Sequence, residues 1–418
     1  MLELYNTMTR KQEVFTPRID GEVKMFTCGP SIYGRPHVGN YRSFLWEDVL
    51  QRYLVHLGYT VQRVLNFTDV EDKAIDEAEK NNVSIEALTA SNAEQFFADA
   101  QELRIDLPRS IPRSSTSVPQ AVKLIQLLLE KGIAYWHEGD VFFDPLKFKD
   151  FGKLFRLDMS RWPREKKRFK KDTYPGRRWN LGDFILWHGY KRGDKVYWET
   201  DIGRGRPSWN IQDPAMITES LGYSIDISCG GIDNLYRHHD YNIAVIEAVS
   251  GEEFARYWVH GEHLLVDGRK MSKSVGNILY PEDLLKDGFG PRYLRFYLLY
   301  GHHRKPLNLT PKHLEEASRK VDLLNAMVAR LLSSDADMKG KPSGPEDDEV
   351  DAAIDRLIPD FERHMNDDLN VKGAFDAVFE DLSALSGLKE SGRVNPAAVR
   401  RVEEKLRTMD AVFQFLMR

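Results

Sequence analysis

Two lysines in a glycine-flanked loop are the residues whose types and spacing point most directly to chemistry. Lys270 and Lys273 lie in the stretch GRKMSKSVGN (268–277), with Met271 and Ser272 between them. Two cations on such a loop can follow a polyphosphate and stabilise the charge that develops during transfer at phosphorus. A Lys-x-x-Lys pair alone is also typical of a solvated basic turn, so the interpretation depends on a second phosphate-binding element.

The segment PHVGN (36–40) is the candidate for that second element. It lies where a predicted strand passes into a helix, and a helix N-terminus offers free backbone N–H groups and the positive end of the helix dipole. His37 can add a donor, and Gly39 lets the backbone come close to a phosphate. A His-x-Gly turn by itself is weak, but with the pentapeptide KMSKS far downstream it indicates a site for a nucleoside polyphosphate.

A third stretch, SIDISCGGIDNLYRHHDYN (224–242), contains a cysteine, two adjacent histidines and several aspartates. These residue types are typical of metal ligands, whereas two glycines followed by an aspartate suit a nucleotide pocket. The residues alone leave both interpretations open.

The elements around these motifs alternate as in an α/β fold. Residues 23–29 (VKMFTCG) are predicted as a buried strand, residues 40–58 as a helix with apolar residues at helical spacing, and residues 60–70 as a returning strand. Strand, helix and strand form a βαβ unit and therefore predict a parallel sheet. The same alternation resumes at about residues 223–300.

The rest of the chain divides into an insertion and a helical tail. The predicted units are an α/β catalytic domain formed by residues 1–80 and 200–307, an inserted subdomain at 81–199 and a helical bundle at 308–418. The insertion mixes amphipathic helices with a proline- and lysine-rich stretch. Strand signals vanish from about residue 308, where three helical segments and a linker at 339–349 follow.

The composition is that of an ordinary globular protein. The chain has 418 residues, 42% of them hydrophobic and 29% charged, and its net charge of −5 gives no global attraction to nucleic acid. We expect neither a membrane span nor a secretory signal, because no sufficiently long apolar run is found. Two cysteines, Cys28 and Cys229, cannot form a disulfide framework, which predicts a reducing, cytoplasmic location.

Taken together, the motifs resemble those of class I aminoacyl-tRNA synthetases, and most closely those of the cysteinyl-tRNA synthetases. The matching stretches follow the family's order and include MFTCGPSIYGRPHVGNYRS, NFTDVEDK, DFILWHGYK, GRGRPSWNIQDPAM, IDISCGGIDNLYRHH, YWVHGEHLLVDGRKMSKSVGN and RYLRFYLLYGHHRKPLN. The resemblance implies a Rossmann-type catalytic domain with an insertion, followed by an all-α bundle. It implies an ATP-dependent ligase that activates an amino acid as the aminoacyl-AMP and transfers it to the 3′ end of tRNA or to a small amine.

The resemblance also implies roles around ATP, position by position. His37 and Asn40 would contact phosphate, with Asn40 where the family has a histidine. Lys270 and Lys273 would stabilise the pentavalent transition state, while Mg²⁺ bridges the ATP phosphates. Asp233 would accept hydrogen bonds from the ribose hydroxyls. The resemblance also implies which residues bind the nucleotide: Gly39, Gly230, Gly231, Asp233, His260, Met271 and Ser272. Among these, His260 would lie beside the adenine.

The amino-acid pocket departs from the family. Its members hold a zinc ion with two cysteines, a histidine and a glutamate, and zinc reads the substrate thiolate because sulfur ligates it well. The corresponding positions here are Cys28, Asp213, His238 and Asn242. Two further residues, Thr68 and Trp209, would line the same pocket. Asp213 replaces a cysteine, and Asn242 replaces the glutamate with a neutral amide. We therefore expect no tightly bound zinc and a polar or cationic substrate, of cysteine-like or modestly larger size, rather than cysteine.

The acceptor is less well defined by the sequence. The family continues beyond its bundle into a small anticodon-recognising domain that we do not recognise here, so we expect weak discrimination between anticodons. The candidate surface for nucleic acid is the basic stretch 161–178, which could instead be a solvated part of the insertion. The aromatic residues in and beside this stretch are Trp162, Phe169, Tyr174 and Trp179.

Two other functions compete with an aminoacyl ligase. One is a nucleotide- or RNA-binding paralogue with a regulatory role, and the intact lysine loop argues against it. The other is a different nucleotidyl transferase on the same fold. The segments NFTDVEDK and WNIQDPAM argue against this second function, because they line an amino-acid site in the family.

Overall fold

The structure is a computed structural model, and it describes residues 1–169, 181–272, 275–286, 288–333 and 347–417. Within these ranges the α-helices, numbered α1 to α12 in chain order, are Val38–His56, Asp72–Lys80, Ile85–Glu102, Val118–Glu130, Trp209–Leu221, Asp240–Ser250, Pro281–Lys286, Pro291–Tyr300, Pro311–Leu332, Asp348–Met365, Val371–Glu390 and Pro396–Phe413. The strands, numbered β1 to β14, are Glu3–Asn6, Lys11–Val14, Glu22–Thr27, Thr60–Leu65, Ala134–His137, Asp140–Phe143, Phe184–Gly189, Trp198–Thr200, Gly203–Pro207, Ile225–Gly231, Ala255–Gly261, Leu264–Val266, Arg269–Lys270 and Leu307–Leu309.

Four strands form the parallel sheet that the sequence predicts. Their order is β11-β10-β3-β4, and every neighbouring pair runs parallel. Helix α1 connects β3 to β4, and α6 connects β10 to β11. The chain therefore leaves the two central strands, β3 and β10, in opposite directions, which opens a crevice at their carboxyl ends. The predicted α/β class is confirmed, and the crevice is the expected position for a ligand.

Strand β3 ends earlier than predicted, because a side chain of the neighbouring loop takes over its hydrogen bonding. The strand stops at Thr27, and the N–H of Gly29 donates to Oδ1 of Asn66 at 2.9 Å. A Cβ atom at Gly29 would lie 1.8 Å from the carbonyl oxygen of Asn66, so only glycine fits there. This close approach leaves Cys28 in the loop, at the edge of the crevice.

A second, antiparallel sheet follows α4 in the chain. Its strand order is β5-β6-β7-β9-β8, and it spans residues 134–207. The sequence analysis expected amphipathic helices and a proline- and lysine-rich stretch in this insertion, and it did not predict these strands. The charged and glycine-containing strand Gly203–Pro207, for example, lacks the apolar alternation by which a strand is recognised in a sequence.

The helical tail contains one more helix than the sequence analysis identified. Helices α9, α10 and α12 correspond to the predicted segments, whereas α11, Val371–Glu390, was not recognised. A short strand, Leu307–Leu309, pairs in parallel with Leu264–Val266 just where strand signals were expected to end. Much of the predicted linker at 339–349 lies outside the described residues. No α-helix within the described ranges has the length and apolar character needed to cross a bilayer.

Candidate active site

A cavity of about 500 Å³ occupies the crevice at the carboxyl ends of β3 and β10. Its walls come from the loop after β3, the first turns of α1, the start of α5, the turn after β10 and the beginning of the lysine loop. The sequence-predicted residues in its lining are Cys28, His37, Asn40, Thr68, Trp209, Asp213, Gly230, Gly231, Asp233, His238, Met271 and Ser272. Segments up to about 240 residues apart in the sequence thus meet at one cavity, as we expected.

The other predicted residues lie around this cavity or beyond the described chain. Gly39 and Lys270 are next to lining residues, whereas His260 and Asn242 are buried outside the lining. Lys273 lies outside the described residues.

The start of α1 combines a backbone donor site with a side-chain brace. His37 is the N-cap residue, and its N–H donates to Oδ1 of Asn40 at 2.9 Å. Because this contact uses the amide oxygen of Asn40, the amide nitrogen is its remaining hydrogen-bonding group and is a donor. Burial lowers the pKa of His37, so its ring is neutral at physiological pH. The turn is therefore equipped with neutral donors at the positive end of a helix dipole.

The lysine loop meets the turn after β10 through an ion pair. The Nζ atom of Lys270 lies 3.0 Å from Oδ2 of Asp233 and 3.3 Å from Nε2 of His263. Burial alone would raise the pKa of Asp233, but Lys270 and His263 outweigh it and lower that pKa. Asp233 therefore stays ionised and can accept hydrogen bonds. Met271 approaches the start of α1 so closely that a Cβ on Gly39 would lie 2.7 Å from its Cε atom.

Two buried histidines support the glycine turn from behind. The Nδ1 atom of His239 lies 2.8 Å from Nε2 of His260, and Nδ1 of His260 lies 3.0 Å from Oγ1 of Thr7. Burial lowers the pKa of His260 to about 3, so the pair is neutral. A Cβ on Gly230 would lie 2.7 Å from Cε1 of His239. His260 thus contacts the residue that supports this turn, rather than the cavity in which we expected it beside adenine.

Two of the residues at the zinc-ligand positions, Cys28 and Asp213, lie close to one ring nitrogen of a third, His238. Nε2 of His238 lies 3.0 Å from Sγ of Cys28 and 2.8 Å from Oδ2 of Asp213. The second oxygen of Asp213 accepts a hydrogen bond from Nδ2 of Asn66 at 2.8 Å. The ring of Trp209 stacks on His238 with a centroid distance of 5.5 Å and an angle of 18°. Asn66, which the sequence analysis did not single out, therefore helps to hold both the loop after β3 and this cluster.

The local chain path explains why two adjacent histidines serve different sides of the site. Arg237, directly before them, has a backbone φ of +65°, which is unusual for a residue other than glycine. This residue interrupts the turn at Leu235–His239 before α6 begins. His238 consequently contacts Cys28 and Asp213, while His239 contacts His260.

The charges in this cluster compensate one another. Burial would lower the pKa of His238, but Cys28 and Asp213 outweigh burial and raise it well above its usual value. Burial raises the pKa of the Cys28 thiol. The imidazole of His238 is therefore favoured in its protonated form between Cys28 and Asp213.

This arrangement does not fit the zinc site that the resemblance implies. Cys28 and His238 keep two of the four ligand types, whereas Asp213 stands where the family has a second cysteine. One oxygen of Asp213 already accepts a hydrogen bond from Nδ2 of Asn66. Asn242 is buried and supplies a neutral amide, whose nitrogen has no hydrogen-bond partner among the described residues. Replacing a thiolate by a carboxylate and a carboxylate by a neutral amide leaves a harder ligand set with one negative charge fewer than that of the family.

The basic stretch is less available to nucleic acid than its composition suggests. Trp162 is buried and packs against Phe151, so it cannot stack on a base. Lys166 pairs with Asp144 at 2.6 Å, and Arg168 donates to the hydroxyl oxygen of Tyr135 at 2.8 Å. Residues 170–180, which include Tyr174 and Trp179, lie outside the described residues.

Comparison with known proteins agrees with the geometry of the cavity. Residues 14–319 match the family model described as tRNA synthetases class I (C) catalytic domain. The chain is 38% identical to a cysteine–tRNA ligase of Chlamydia pneumoniae, covering 99% of this chain and 86% of that protein. A cysteine–tRNA ligase of Brachyspira hyodysenteriae is 34% identical, with coverage of 99% and 84%.

Solved structures with much lower sequence identity share the fold. A methionyl-tRNA synthetase of Mycobacterium tuberculosis, bound by methionyl-adenylate, superposes with a TM-score of 0.70 at 16% identity and covers 94% of this chain and 92% of its own. A leucyl-tRNA synthetase of Agrobacterium radiobacter gives a TM-score of 0.66 at 13% identity, with coverage of 96% and 85%. The family match and the identity to curated relatives over nearly the whole chain establish that this protein belongs to the class I aminoacyl-tRNA synthetases, in the cysteine-type branch of that family.

Proposed function

We propose that this chain activates an amino acid with ATP as the aminoacyl-adenylate and transfers the acyl group to an acceptor. The observation that carries the proposal is the convergence of three elements on one cavity: the helix start at His37, the turn at Gly230 and Gly231, and the beginning of the lysine loop. A nucleotide requires a phosphate site, a ribose site and a source of positive charge, and these elements can supply all three.

In the first step, a carboxylate oxygen of the amino acid attacks the α-phosphorus of ATP. The new P–O bond forms as the bond from that phosphorus to the oxygen bridging to the β-phosphate breaks, and pyrophosphate leaves with the electron pair. No side chain acts as a nucleophile, so the protein contributes positioning and charge stabilisation. The start of α1 with His37 and Asn40 binds phosphate, Asp233 accepts from the ribose, and Lys270 and Lys273 stabilise the charge on the departing pyrophosphate. Mg²⁺ belongs to the nucleotide substrate in this scheme.

In the second step, a nucleophile of the acceptor attacks the carbonyl carbon of the adenylate, and AMP leaves. The names of the curated relatives favour a hydroxyl at the 3′ end of tRNA as this nucleophile. A small amine is the alternative, since it can attack the same carbon and form an amide.

The proposal also includes a division of the chain into three units. Residues 1–80 and 200–307 form the first unit, 81–199 the second and 308–418 the third. The four parallel strands all belong to the first unit.

The side chain of the amino acid is proposed to be read without zinc. Cys28, Asp213 and His238 line the cavity with sulfur, carboxyl and imidazole groups. Such groups can bind hydroxyl or ammonium groups by hydrogen bonding, but they lack the soft cation that distinguishes a thiolate from a hydroxyl. The favoured substrate is therefore polar or cationic, of cysteine-like or modestly larger size.

A pyrophosphate-exchange screen tests this function. The purified protein is incubated with ATP and labelled pyrophosphate across all proteinogenic amino acids and several non-proteinogenic ones, and label in ATP is measured. We expect exchange with at least one polar amino acid and a clear preference for it over cysteine. Charging of bulk tRNA with that amino acid, alongside a panel of small amines, then identifies the acceptor.

The outcomes separate the competing functions. Binding of ATP without exchange for any amino acid would favour the nucleotide-binding paralogue and contradict the ligase. Exchange that depends strongly on cysteine would retain the ligase and overturn the proposed side-chain preference.

A further inference from the structure

One buried carboxyl group at the cavity has no role in the scheme above. Glu47 lies on α1, has no exposed surface and belongs to the lining of the 500 Å³ cavity. Neither of its carboxylate oxygens has a hydrogen-bond partner among the described residues. Leaving a buried polar group without a partner costs on the order of 1–3 kcal/mol, so such a group in a cavity wall requires an explanation.

An ordinary structural ion pair does not provide that explanation. The nearest cation is Arg63, whose Nη2 atom lies 4.0 Å from Oε2 of Glu47, too far for a hydrogen bond. The other nitrogens of Arg63 are engaged elsewhere: Nε donates to Oγ1 of Thr27, and Nη1 donates to Oε1 of Gln51, both at 3.2 Å. Nη2 of Arg63 has no hydrogen-bond partner among the described residues either, so the two groups face each other without a direct hydrogen bond.

Asp48, the next residue on the same helix, shows how the fold satisfies the hydrogen bonds of a buried structural carboxylate. Asp48 is equally buried, and both of its oxygens accept hydrogen bonds. Its Oδ2 atom accepts from Nη2 of Arg295 at 2.7 Å, and its Oδ1 atom accepts from Nε of Arg52 at 3.0 Å. Two adjacent buried acids thus differ: Asp48 has hydrogen-bond partners within the fold, whereas Glu47, in the cavity wall, has none among the described residues.

Glu47 also acts on the residues that we assign to the amino-acid pocket. Burial is the main cause of the raised pKa of Cys28, and Asp213 and Glu47 each add to that rise. Burial likewise raises the pKa of Glu47 to about 8, although Arg63 opposes the rise. Both acids therefore lie within electrostatic range of one thiol at the same cavity.

We propose that Glu47 is a further specificity-determining residue, which accepts a hydrogen bond from an N–H or O–H group on the side chain of the amino-acid substrate. This inference rests on the proposed function and narrows its substrate class to amino acids whose side chains carry a hydrogen-bond donor. A hydrogen-bond donor on the substrate side chain supplies the partner that the carboxyl group of Glu47 lacks within the fold. An apolar side chain of the same size gains no such hydrogen bond and is therefore bound more weakly than one that carries a donor.

The test compares donor-bearing and apolar amino acids in variants of Glu47. Glu47→Met removes both oxygens at similar length, and Glu47→Gln keeps one acceptor. The panel contains serine and homoserine as hydroxyl donors, 2,3-diaminopropionate and 2,4-diaminobutyrate as ammonium donors, and alanine and 2-aminobutyrate as apolar references. For the preferred donor we expect kcat/KM to fall roughly 10- to 100-fold in Glu47→Met and less in Glu47→Gln, with the apolar references and the KM for ATP unchanged.

A structural role would produce a different pattern. Glu47→Met removes a buried group without a partner, so we expect its Tm to remain the same or to rise. The control Asp48→Asn should lower Tm, because it disrupts satisfied hydrogen bonds, and should leave the ratio between donor-bearing and apolar substrates unchanged. A lowered Tm in both Glu47 variants with an unchanged substrate ratio would overturn the proposal and make Glu47 part of the scaffold.

Binding measurements without ATP keep this inference separate from the proposed chemistry. Calorimetric titration of the wild type and Glu47→Met with the same panel reports side-chain recognition directly. Absence of pyrophosphate exchange overturns the ligase function, whereas donor-selective binding that is lost in Glu47→Met still supports Glu47. Equal binding of donor and apolar amino acids by the wild type refutes the role of Glu47 even where exchange occurs.

Discussion

Replacement of Lys270 by alanine is the most direct test of the proposed chemistry. Lys270 and Arg269 form the short strand β13, and both side chains are exposed. Only Lys270 pairs with Asp233, at 3.0 Å, beside the cavity. Arg269→Ala is therefore a matched control, since it removes a neighbouring cation from the same strand without removing the contact to the turn after β10.

The structure separates the expected effect on activity from the effect on stability. The side chains of Lys270 and Asp233 are both about half exposed, at 57% and 49%. Exposed ion pairs contribute about 0–1 kcal/mol, so Lys270→Ala should barely change Tm. Loss of one cation that stabilises transition-state charge costs about 10²- to 10³-fold in rate, or roughly 3–4 kcal/mol. A loss of that size cannot result from unfolding if Tm is unchanged.

The assay is pyrophosphate exchange with the preferred amino acid, measured over a range of ATP concentrations. We expect Lys270→Ala to lower kcat about 10²- to 10³-fold with a smaller change in the KM for ATP, and Arg269→Ala to retain nearly full activity. Unchanged kcat in Lys270→Ala would refute the reasoning. An equal loss in Arg269→Ala would show that general positive charge, rather than the position of Lys270, is responsible.

Two further predictions concern the metal and the glycine turn. Protein purified without chelators should contain far less than one zinc per chain, whereas the double variant Asp213→Cys/Asn242→Glu, which restores the ligand types of the relatives, should gain zinc measurable by elemental analysis. One tightly bound zinc in the wild type, together with a strong preference for cysteine, would contradict the proposed pocket. Gly230→Ala should raise the KM for ATP about tenfold, because its Cβ would meet His239 at 2.7 Å. The control Gly387→Ala, at an open helical position, should instead stabilise the fold by about 0.5–1 kcal/mol in a denaturant titration.

Local patterns were sufficient to predict the central sheet. The sheet follows from alternating buried strands and helical apolar spacing, which are read within short windows. Gly230, Asp233 and Lys270 were named through the family resemblance, and the structure places Gly230 and Asp233 in the lining of one cavity with Lys270 beside it. The antiparallel sheet and α11 could not be identified, because charged, glycine-containing strands and a helix with two internal glycines, Gly373 and Gly387, weaken those patterns.

Residues whose importance depends on burial were not predicted. Nothing in the spacing of Asn66 shows that its side chain contacts both Gly29 and Asp213. Glu47 and Asp48 are adjacent acids in one helix, and only the tertiary structure shows that one is satisfied and the other is open to the cavity. Such differences arise from contacts between distant segments, which a local pattern does not contain.

The contact between Asp233 and Lys270 links the two halves of the proposed reaction. Asp233 follows strand β10, whereas Lys270 belongs to the hairpin that leads into the lysine loop, so their ion pair joins the ribose side of the cavity to the cationic side. When a ribose hydroxyl donates to Asp233, that carboxylate is shared between the nucleotide and Lys270. Binding of the nucleotide can thereby release the lysine toward the phosphates at the time that its charge is needed. If this coupling operates, Asp233→Ala should raise the KM for ATP and also lower kcat, since it removes both the ribose acceptor and the carboxylate that pairs with Lys270 beside the cavity. An effect of Asp233→Ala on the KM for ATP alone would show that the two sites act independently.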